Sequence, residues 1–254
     1  MLIEYHNKNM QNTVEVNIVE GQVIDTTPLS HRVLQVTIDL GKAPFAYKAG
    51  QFTAIQPIGA HVDPKLWNYY SIASAPDRNN TIQLCISTSN KSLVSEFDPV
   101  QVFCKGNTIK LKPAMGVFTL PESLSKNLIF ITTGTGIAPV RSMLQELQAN
   151  RGFNNAIHLV FGARNKEEIL YRDELEALSK AFENFNYSVV LSKDEDWQGY
   201  KGYVDTAYLD LFTKADKNAV VYLCGWPEMV KKGIRDFVAV LGFDEDQLVY
   251  ELYS

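Results

Sequence analysis

The chain has 254 residues, 46% apolar and 21% charged, the profile of a globular protein long enough for two cores rather than a disordered or fibrous one. Its net charge of −5 provides no basic footprint for nucleic acid, and no apolar run approaches the roughly 20 residues of a membrane span. Three widely spaced cysteines, Cys85, Cys104 and Cys224, with no C-x-x-C, exclude a four-cysteine iron–sulfur cluster held by this chain alone and argue against a disulfide framework.

Free thiols are the cysteine usage of a cytoplasmic protein. The opening M-L-I-E-Y-H-N-K has no basic segment followed by an apolar run, so no signal peptide is expected. Charge is uneven. Through Leu124 there are ten basic and ten acidic residues, and the remainder carries 14 basic and 19 acidic. A negatively charged partner would meet the neutral front half more readily than the acidic back half.

The first dozen residues are polar and read as frayed or as an edge strand. From Val14 the chain alternates in short runs: V-E-V-N-I-V-E, V-L-Q-V-T-I-D-L, Q-F-T-A-I-Q, Tyr69–Ala73, T-I-Q-L-C-I-S and T-I-K-L-K-P. Pro28, Gly41, Pro44, Gly50, Pro57-Ile58-Gly59, Pro76-Asp77 and Gly106-Asn107 separate them. Six such strands predict an antiparallel barrel or sandwich, with a short helix at Ser92–Phe97. The barrel closes near Pro121, and Glu122–Asn127 reads as a linker.

Beyond the linker the period changes. Apolar strands begin near Leu128, Ile157, Tyr187, Val220 and Leu248, with helical patterns at Val140–Asn150, Glu167–Phe182 and Pro227–Leu241 between them. This alternation predicts βαβ units and a doubly wound parallel sheet. Gly152 and Gly242 stand where helix C-caps belong. The expected domains are therefore a barrel over 1–124 and an α/β domain over 125–254.

The most informative stretch is Leu128–Pro139, L-I-F-I-T-T-G-T-G-I-A-P. A strand buried on both faces runs into Gly134 and Gly136, which permit unusual backbone angles and leave room beside the main chain. Pro139 suits a first helical turn. Such a strand–turn–helix aims N–H groups and the positive end of a helix dipole at a phosphate. In the first βαβ unit of a parallel sheet it predicts a phosphate-bearing ligand.

The chain as a whole resembles the ferredoxin–NADP reductase superfamily, from about Val14 to the end. Gly50-Gln51-Phe52 is similar to that family's G-Q-F strand, and Tyr70-Ser71-Ile72-Ala73-Ser74 to its flavin motif R-x-Y-S-x-A-S. Val94-Ser95, Lys105–Thr108 and Pro113–Phe118 resemble segments completing the flavin pocket. Gly134–Pro139 resembles the nicotinamide-phosphate turn, Cys224-Gly225-Trp226-Pro227 the C-G-x-P turn, and Glu251-Leu252-Tyr253 the terminal E-x-Y. One position departs: Asn68 stands where the family has an arginine that pairs with flavin phosphate. Ser87-Thr88 stand where relatives often carry a cation, and Lys91 is the nearest basic residue.

The resemblance implies an N-terminal six-stranded flavin-binding barrel carrying FAD and an α/β domain binding NADP(H), with NAD(H) as the alternative. It implies that flavin is bound by Asn68, Tyr70, Ser71, Cys85, Ser87, Val94 and Ser95. It places the dinucleotide at Gly134, Thr135, Gly136, Ile137, Pro139, Arg164, Lys193, Cys224 and Gly225. By the same resemblance Tyr70 packs on the isoalloxazine, Ser71 hydrogen-bonds near N5, Cys224 lies near the nicotinamide C4, Glu251 assists proton delivery and Tyr253 covers the other flavin face. These four groups, Ser71, Cys224, Glu251 and Tyr253, are the catalytic candidates. Taken alone, Tyr70–Ala73 is a barrel strand, buried cysteines (Cys85 and Cys104 included) are packing residues, and a terminal Glu and Tyr are solvent-facing.

Arg164 and Lys193, each at the end of a predicted strand, favour NADPH through its 2′-phosphate. Asp194-Glu195-Asp196 and Gly202-Tyr203-Val204 weigh against it. The expected activity is electron transfer between NAD(P)H and a separate one-electron carrier, a ferredoxin or flavodoxin, through hydride transfer to flavin N5. The alternatives are a reductase of free flavin or quinone, an oxygenase reductase component, and a non-catalytic nucleotide-sensing or docking subunit.

Overall fold

A computed structural model describes residues 17–58, 66–76, 79–89, 98–149 and 153–253. The expectations for the first dozen residues, for a helix at Ser92–Phe97 and for Lys91, Val94, Ser95 and Gly152 fall outside them. The chain divides into two compact units. One runs to Thr119 and also takes in Ala138–Ala149; the other comprises Leu120–Ile137 and Asn150–Tyr253.

The first unit holds β1 (Val19–Ser30), β2 (Val33–Asp39), β3 (Phe52–Pro57), β4 (Asn68–Ser71), β5 (Thr81–Ser87), the short α1 (Pro99–Val102) and β6 (Thr108–Leu111). The six strands form one antiparallel sheet in the order β4-β3-β6-β1-β2-β5. Among the described residues the end strands meet through an isolated Ile72–Leu84 bridge and the hydrogen bond from Ala73 N–H to the Gln83 carbonyl, 2.7 Å, with no continuous ladder between them. The barrel is therefore present but not closed by a continuous ladder. Val23, Val36, Ile38, Ile55, Ile82, Leu84, Ile109 and Leu111 fill its interior. Asp98 caps α1, accepting from the Val100 N–H at 3.0 Å, with Pro99 at the first position.

Pro28 does not end a strand as expected. It lies inside β1, opposite Leu34 and beside a register shift. There β1 has β2 on one side only, because β6 pairs with Val19–Gln22 alone. The missing N–H therefore breaks no ladder.

The second unit holds β7 (Asn127–Thr133), which leads into α2 (Ile137–Ala149), the helix whose residues from Ala138 onward pack in the first unit. Then follow β8 (Ile157–Ala163), α3 (Arg172–Ala181), β9 (Phe185–Leu191), β10 (Tyr200–Lys201), α4 (Val204–Leu211), β11 (Ala219–Gly225), α5 (Pro227–Arg235) and β12 (Leu248–Leu252). All neighbours in the sheet β10-β9-β8-β7-β11-β12 are parallel. Ile129, Ile131, Val160, Val190, Val221 and Leu223 pack against Val204, Ala207 and Tyr208 of α4 and Val230 of α5.

Three expectations are corrected. The helix expected over Glu167–Phe182 starts only at Arg172, because Tyr171 takes a left-handed φ of 54° and Lys166–Glu168 forms a separate 3-10 turn. The helix α4 and the two-residue β10 are additional elements. The helix from Pro227 changes to π-helical hydrogen bonding over Asp236–Val240. Gly242, at φ 80°, sits just beyond its end as expected. Among the described residues no helix is long and apolar enough to cross a membrane.

Candidate active site

The strand order of the second unit runs outward from β7 through β8, β9 and β10, then returns to β7's other side with β11 and β12. Adjacent strands whose connections leave in opposite directions open a crevice at their carboxyl ends, where ligands bind in parallel sheets. Here the crevice lies between β7 and β11, so its rim is Thr133–Gly136 on one side and Cys224–Trp226 on the other.

Gly134, Thr135 and Gly136 form a single 3-10 turn between β7 and α2. Gly134 has φ 53° and open space where a side chain would stand. Gly136 serves a different purpose from the one expected. A Cβ there would lie 2.5 Å from the Cys224 carbonyl oxygen and 2.7 Å from Gly225 Cα. The missing side chain makes room for the neighbouring main chain. Gly225, at φ 137°, is pressed likewise against Thr133, whose Oγ1 accepts from the Trp226 N–H at 3.2 Å. Ile137 and Pro139 are buried, and the Ile137 N–H is taken by the Gly134 and Thr135 carbonyls. Of the turn, Gly134 is exposed and Thr135 half-buried.

Register places three polar side chains in one row at these strand ends. Cys224 on β11 stands opposite Glu251 on β12 and Thr132 on β7. Partners in a parallel ladder share a face, so carboxylate, thiol and hydroxyl lie side by side. All three are buried, and Thr132 Oγ1 has no hydrogen-bond partner among the described residues. Thr132 was not singled out from sequence, although a threonine closing an otherwise apolar strand is a readable signal.

Burial pushes the Cys224 thiol well above its ordinary pKa. The Glu251 carboxylate adds to the rise, and a side-chain hydrogen bond with Tyr253 opposes it. The group is a neutral thiol rather than a nucleophilic thiolate. The Tyr253 N–H donates to the Gly225 carbonyl at 3.1 Å, tying the chain end to the same loop.

Arg164 and Lys193 are both exposed, at the carboxyl ends of β8 and β9. Their backbones meet where the Lys193 N–H donates to the Arg164 carbonyl at 2.8 Å. A third cation, Lys201 on β10, lies beside Leu191 in register and was missed because β10 has no sequence signature. The Lys201 ammonium donates to the Glu195 carbonyl at 2.5 Å. Asp194 pairs with Lys166 at 3.5 Å, which offsets the negative charge closest to Lys193. Tyr203 is 69% exposed, an aromatic face next to these cations in sequence.

In the first unit, Ser71 is buried at the end of β4, opposite Phe52. Tyr70 points to the other face, half-buried, packed against the barrel core and edge-on to Phe103 at 5.7 Å. Burial raises its pKa. Asn68 lies on the Tyr70 face, two residues back, and its Nδ2 is buried without a partner among the described residues. An orphaned buried donor at that place fits a ligand that brings an acceptor. Cys85 is buried on β5, and Ser87, at the strand's end, accepts from the Ser89 N–H at 3.4 Å. Cys104 is exposed, its thiol donating to the Val100 carbonyl.

The segment following Ser71 is held by the polar face of α2, within the same unit. Arg141, 6% exposed, donates from Nη1 to the Ala73 carbonyl and to Gln83 Oε1, 2.8 Å each. Ser142 Oγ donates to the Ser74 carbonyl at 2.5 Å, and Gln145 Oε1 accepts from the Ala75 N–H at 3.1 Å.

Residues 130–233 match the family model of the oxidoreductase NAD-binding domain. The chain is 32% identical over 229 residues to ferredoxin–NADP reductase B of Sorangium cellulosum, covering 85% of this chain and 90% of that protein. It is 28% identical over 239 residues to the reductase component of phenol 2-monooxygenase from a Pseudomonas species, covering 93% of this chain but 65% of that longer protein. The solved structure of the Plasmodium falciparum ferredoxin–NADP+ reductase superposes with a TM-score of 0.77 at 26% identity, over 93% of this chain and 97% of that one. The chain belongs to the ferredoxin–NADP reductase superfamily of flavin-dependent oxidoreductases.

Proposed function

We propose that this oxidoreductase draws electrons from NADPH and passes them through FAD to a separate one-electron carrier: a ferredoxin, a flavodoxin or an oxygenase component. In this reading residues 1–124 form the flavin domain and 125–254 the nicotinamide domain. The observation that carries it is the row Glu251–Cys224–Thr132 beside the G-T-G turn at the switch point of the parallel sheet. Bound flavin supplies a two-electron acceptor for nicotinamide hydride that can release electrons singly.

The chain's own residues bind, orient and exclude water. The turn at Gly134–Gly136 receives the dinucleotide pyrophosphate through backbone N–H groups and the end of α2. The neutral Cys224 thiol and the Glu251 carboxylate line the place of the nicotinamide, and their burial keeps water from the hydride path. Glu251 holds or delivers a proton there, and Tyr253, bonded to the Cys224 side chain, yields its place when the nicotinamide enters. Tyr70 and Ser71 take the flavin ring, and Asn68 its side chain.

Arg164, Lys193 and Lys201 support NADPH over NADH, because a 2′-phosphate needs two or three cations or hydroxyls in one place. The pairing of Asp194 with Lys166 weakens the objection raised by the acidic run. The visible spectrum of the purified chain, followed by anaerobic addition of NADPH, tests the whole reading. A flavin spectrum that bleaches supports it, and a protein that binds no flavin refutes it. Initial rates with the two dinucleotides decide the coenzyme, and a large NADH preference overturns the NADPH assignment.

A further inference from the structure

Two threonines close β7, and their hydroxyls differ. Thr133 Oγ1 accepts from the Trp226 N–H at 3.2 Å. Thr132 Oγ1 is shut off from water and has no hydrogen-bond partner among the described residues. In register Thr132 stands between Phe161 of β8 and Cys224 of β11, and all three residues are 0% exposed. Adjacent strands lie about 4.8 Å apart. Phe161 brings no hydrogen-bonding group, so the polar neighbour across the ladder is the Cys224 thiol. That thiol is engaged elsewhere, by the side chain of Tyr253. A buried hydroxyl in this position is unfavourable until something satisfies it.

The inference rests on the reading above in one respect, that Tyr253 gives up its place when the nicotinamide enters. Its departure leaves the thiol without that partner, and a neutral thiol carries a donor. Threonine is branched at Cβ and stiff at χ1, so the unbranched cysteine is the side chain that moves. We infer that Thr132 is a positioning residue: once Tyr253 leaves, the Cys224 thiol turns along the row and donates to Thr132 Oγ1, which holds the sulfur still beside the incoming ring. The hydroxyl is idle while Tyr253 is in place and bonded once it has gone, so it favours the open state over the closed one.

A double-mutant cycle in the full chain tests this without any dinucleotide, because Tyr253→Phe removes the tyrosine hydroxyl and keeps the ring. Thr132→Val keeps the shape of the side chain and deletes its hydroxyl. In the wild-type background it is expected to raise the urea midpoint. In the Tyr253→Phe background it is expected to lower it, because the hydroxyl there has the thiol as its partner. The infrared S–H stretch of Cys224, identified by its loss in Cys224→Ala, is expected at lower frequency in Tyr253→Phe than in the Tyr253→Phe, Thr132→Val double variant, and Thr132→Ser in place of Thr132→Val restores it. In the flavin-loaded protein, Thr132→Val is expected to slow anaerobic flavin reduction by NADPH about tenfold at unchanged Kd, and Thr132→Ser to stay within about twofold. Midpoint shifts of one sign in both backgrounds overturn the inference. So does an S–H stretch indifferent to Thr132, the result if the thiol turns instead to Glu251 on its other side, and so does a reduction rate that Thr132→Val leaves unchanged. A chain that shows the sign reversal and the shifted stretch but takes no flavin refutes the functional reading alone.

Discussion

The Arg141 guanidinium donates to the Ala73 carbonyl at 2.8 Å, joining the helix that follows the G-T-G turn to the segment that follows Tyr70-Ser71. Gln83 Oε1 shares the same nitrogen, and Ser142 and Gln145 fasten the next two residues. Tyr47 closes the other side, its hydroxyl donating to the Ala75 carbonyl at 2.8 Å. Beyond the one bond from Ala73 N–H to the Gln83 carbonyl of β5, the backbone from Ala73 to Ala75 is held by side chains, which fixes the segment that follows β4.

Replacing Arg141 by Met leaves the Ala73 carbonyl and the Gln83 amide oxygen without this donor in a buried place. The expected loss is about 3 kcal/mol of stability, since hydrogen bonds to charged groups contribute about 1.5–3 kcal/mol and orphaned buried acceptors cost more. Arg141→Lys recovers part of it, because an ammonium lacks the planar fork. Urea denaturation of the apo chain reads the stability, and flavin titration reads the predicted weakening of cofactor binding.

The cations at the ends of β8, β9 and β10 set the second prediction. Lys193→Ala and Lys201→Ala are each expected to raise the KM for NADPH about tenfold, the loss of one charge-assisted hydrogen bond, with the KM for NADH unchanged. Lys166→Ala is expected to raise it by less, through release of Asp194 from its 3.5 Å ion pair. Equal effects on both coenzymes would show that these cations do not read the 2′-phosphate.

Much of this architecture was legible in the residues. The run Leu128–Ile131 is apolar on both faces because β7 lies between β8 and β11 at the centre of the sheet, and its burial is complete or nearly so. Elements without a pattern were not legible. Tyr200-Lys201 is too short to alternate, and α4 packs Val204, Ala207 and Tyr208 inward from only two turns. Tyr171 takes a left-handed conformation that no rule for a tyrosine anticipates. The site was legible as motifs but not as geometry. Register alone brings Thr132 beside Cys224, and only the folded backbone shows that Gly136 accommodates Cys224.

Alkaline pH should destabilise the protein in two stages. The folded pKa of Cys224 is raised, mainly by burial, so its neutral form is favoured in the native state. Its contribution is fully present below the unfolded pKa of about 8.5 and is lost as pH rises toward the folded value, by up to about 1.4 kcal/mol per pH unit. Burial likewise raises Tyr70, Tyr187, Tyr208 and Tyr222, which steepens the loss above about pH 10. Denaturation midpoints across pH 7–11 should show the first stage vanish in Cys224→Ala, with the second unchanged.

A tight constraint lies where the turn meets the neighbouring loop. An alanine at Gly136 would put its Cβ 2.5 Å from the Cys224 carbonyl oxygen, a backbone atom with no rotamer to escape into. At Gly225 the new Cβ would sit 2.5 Å from Thr133 Oγ1, at a φ of 137° that L-residues rarely adopt. Gly134 has the space but an unfavourable φ of 53°, which costs about 1 kcal/mol for alanine. Gly134→Ala is therefore expected to fold and to bind NADPH with modestly reduced affinity. Gly136→Ala must push the turn and the Cys224 loop apart, with at least a hundredfold loss of NADPH affinity even where the protein remains folded. Circular dichroism separates misfolding from this local effect, and a Gly136→Ala protein that is folded and binds NADPH normally would show that the seam between β7 and β11 does not shape the dinucleotide site.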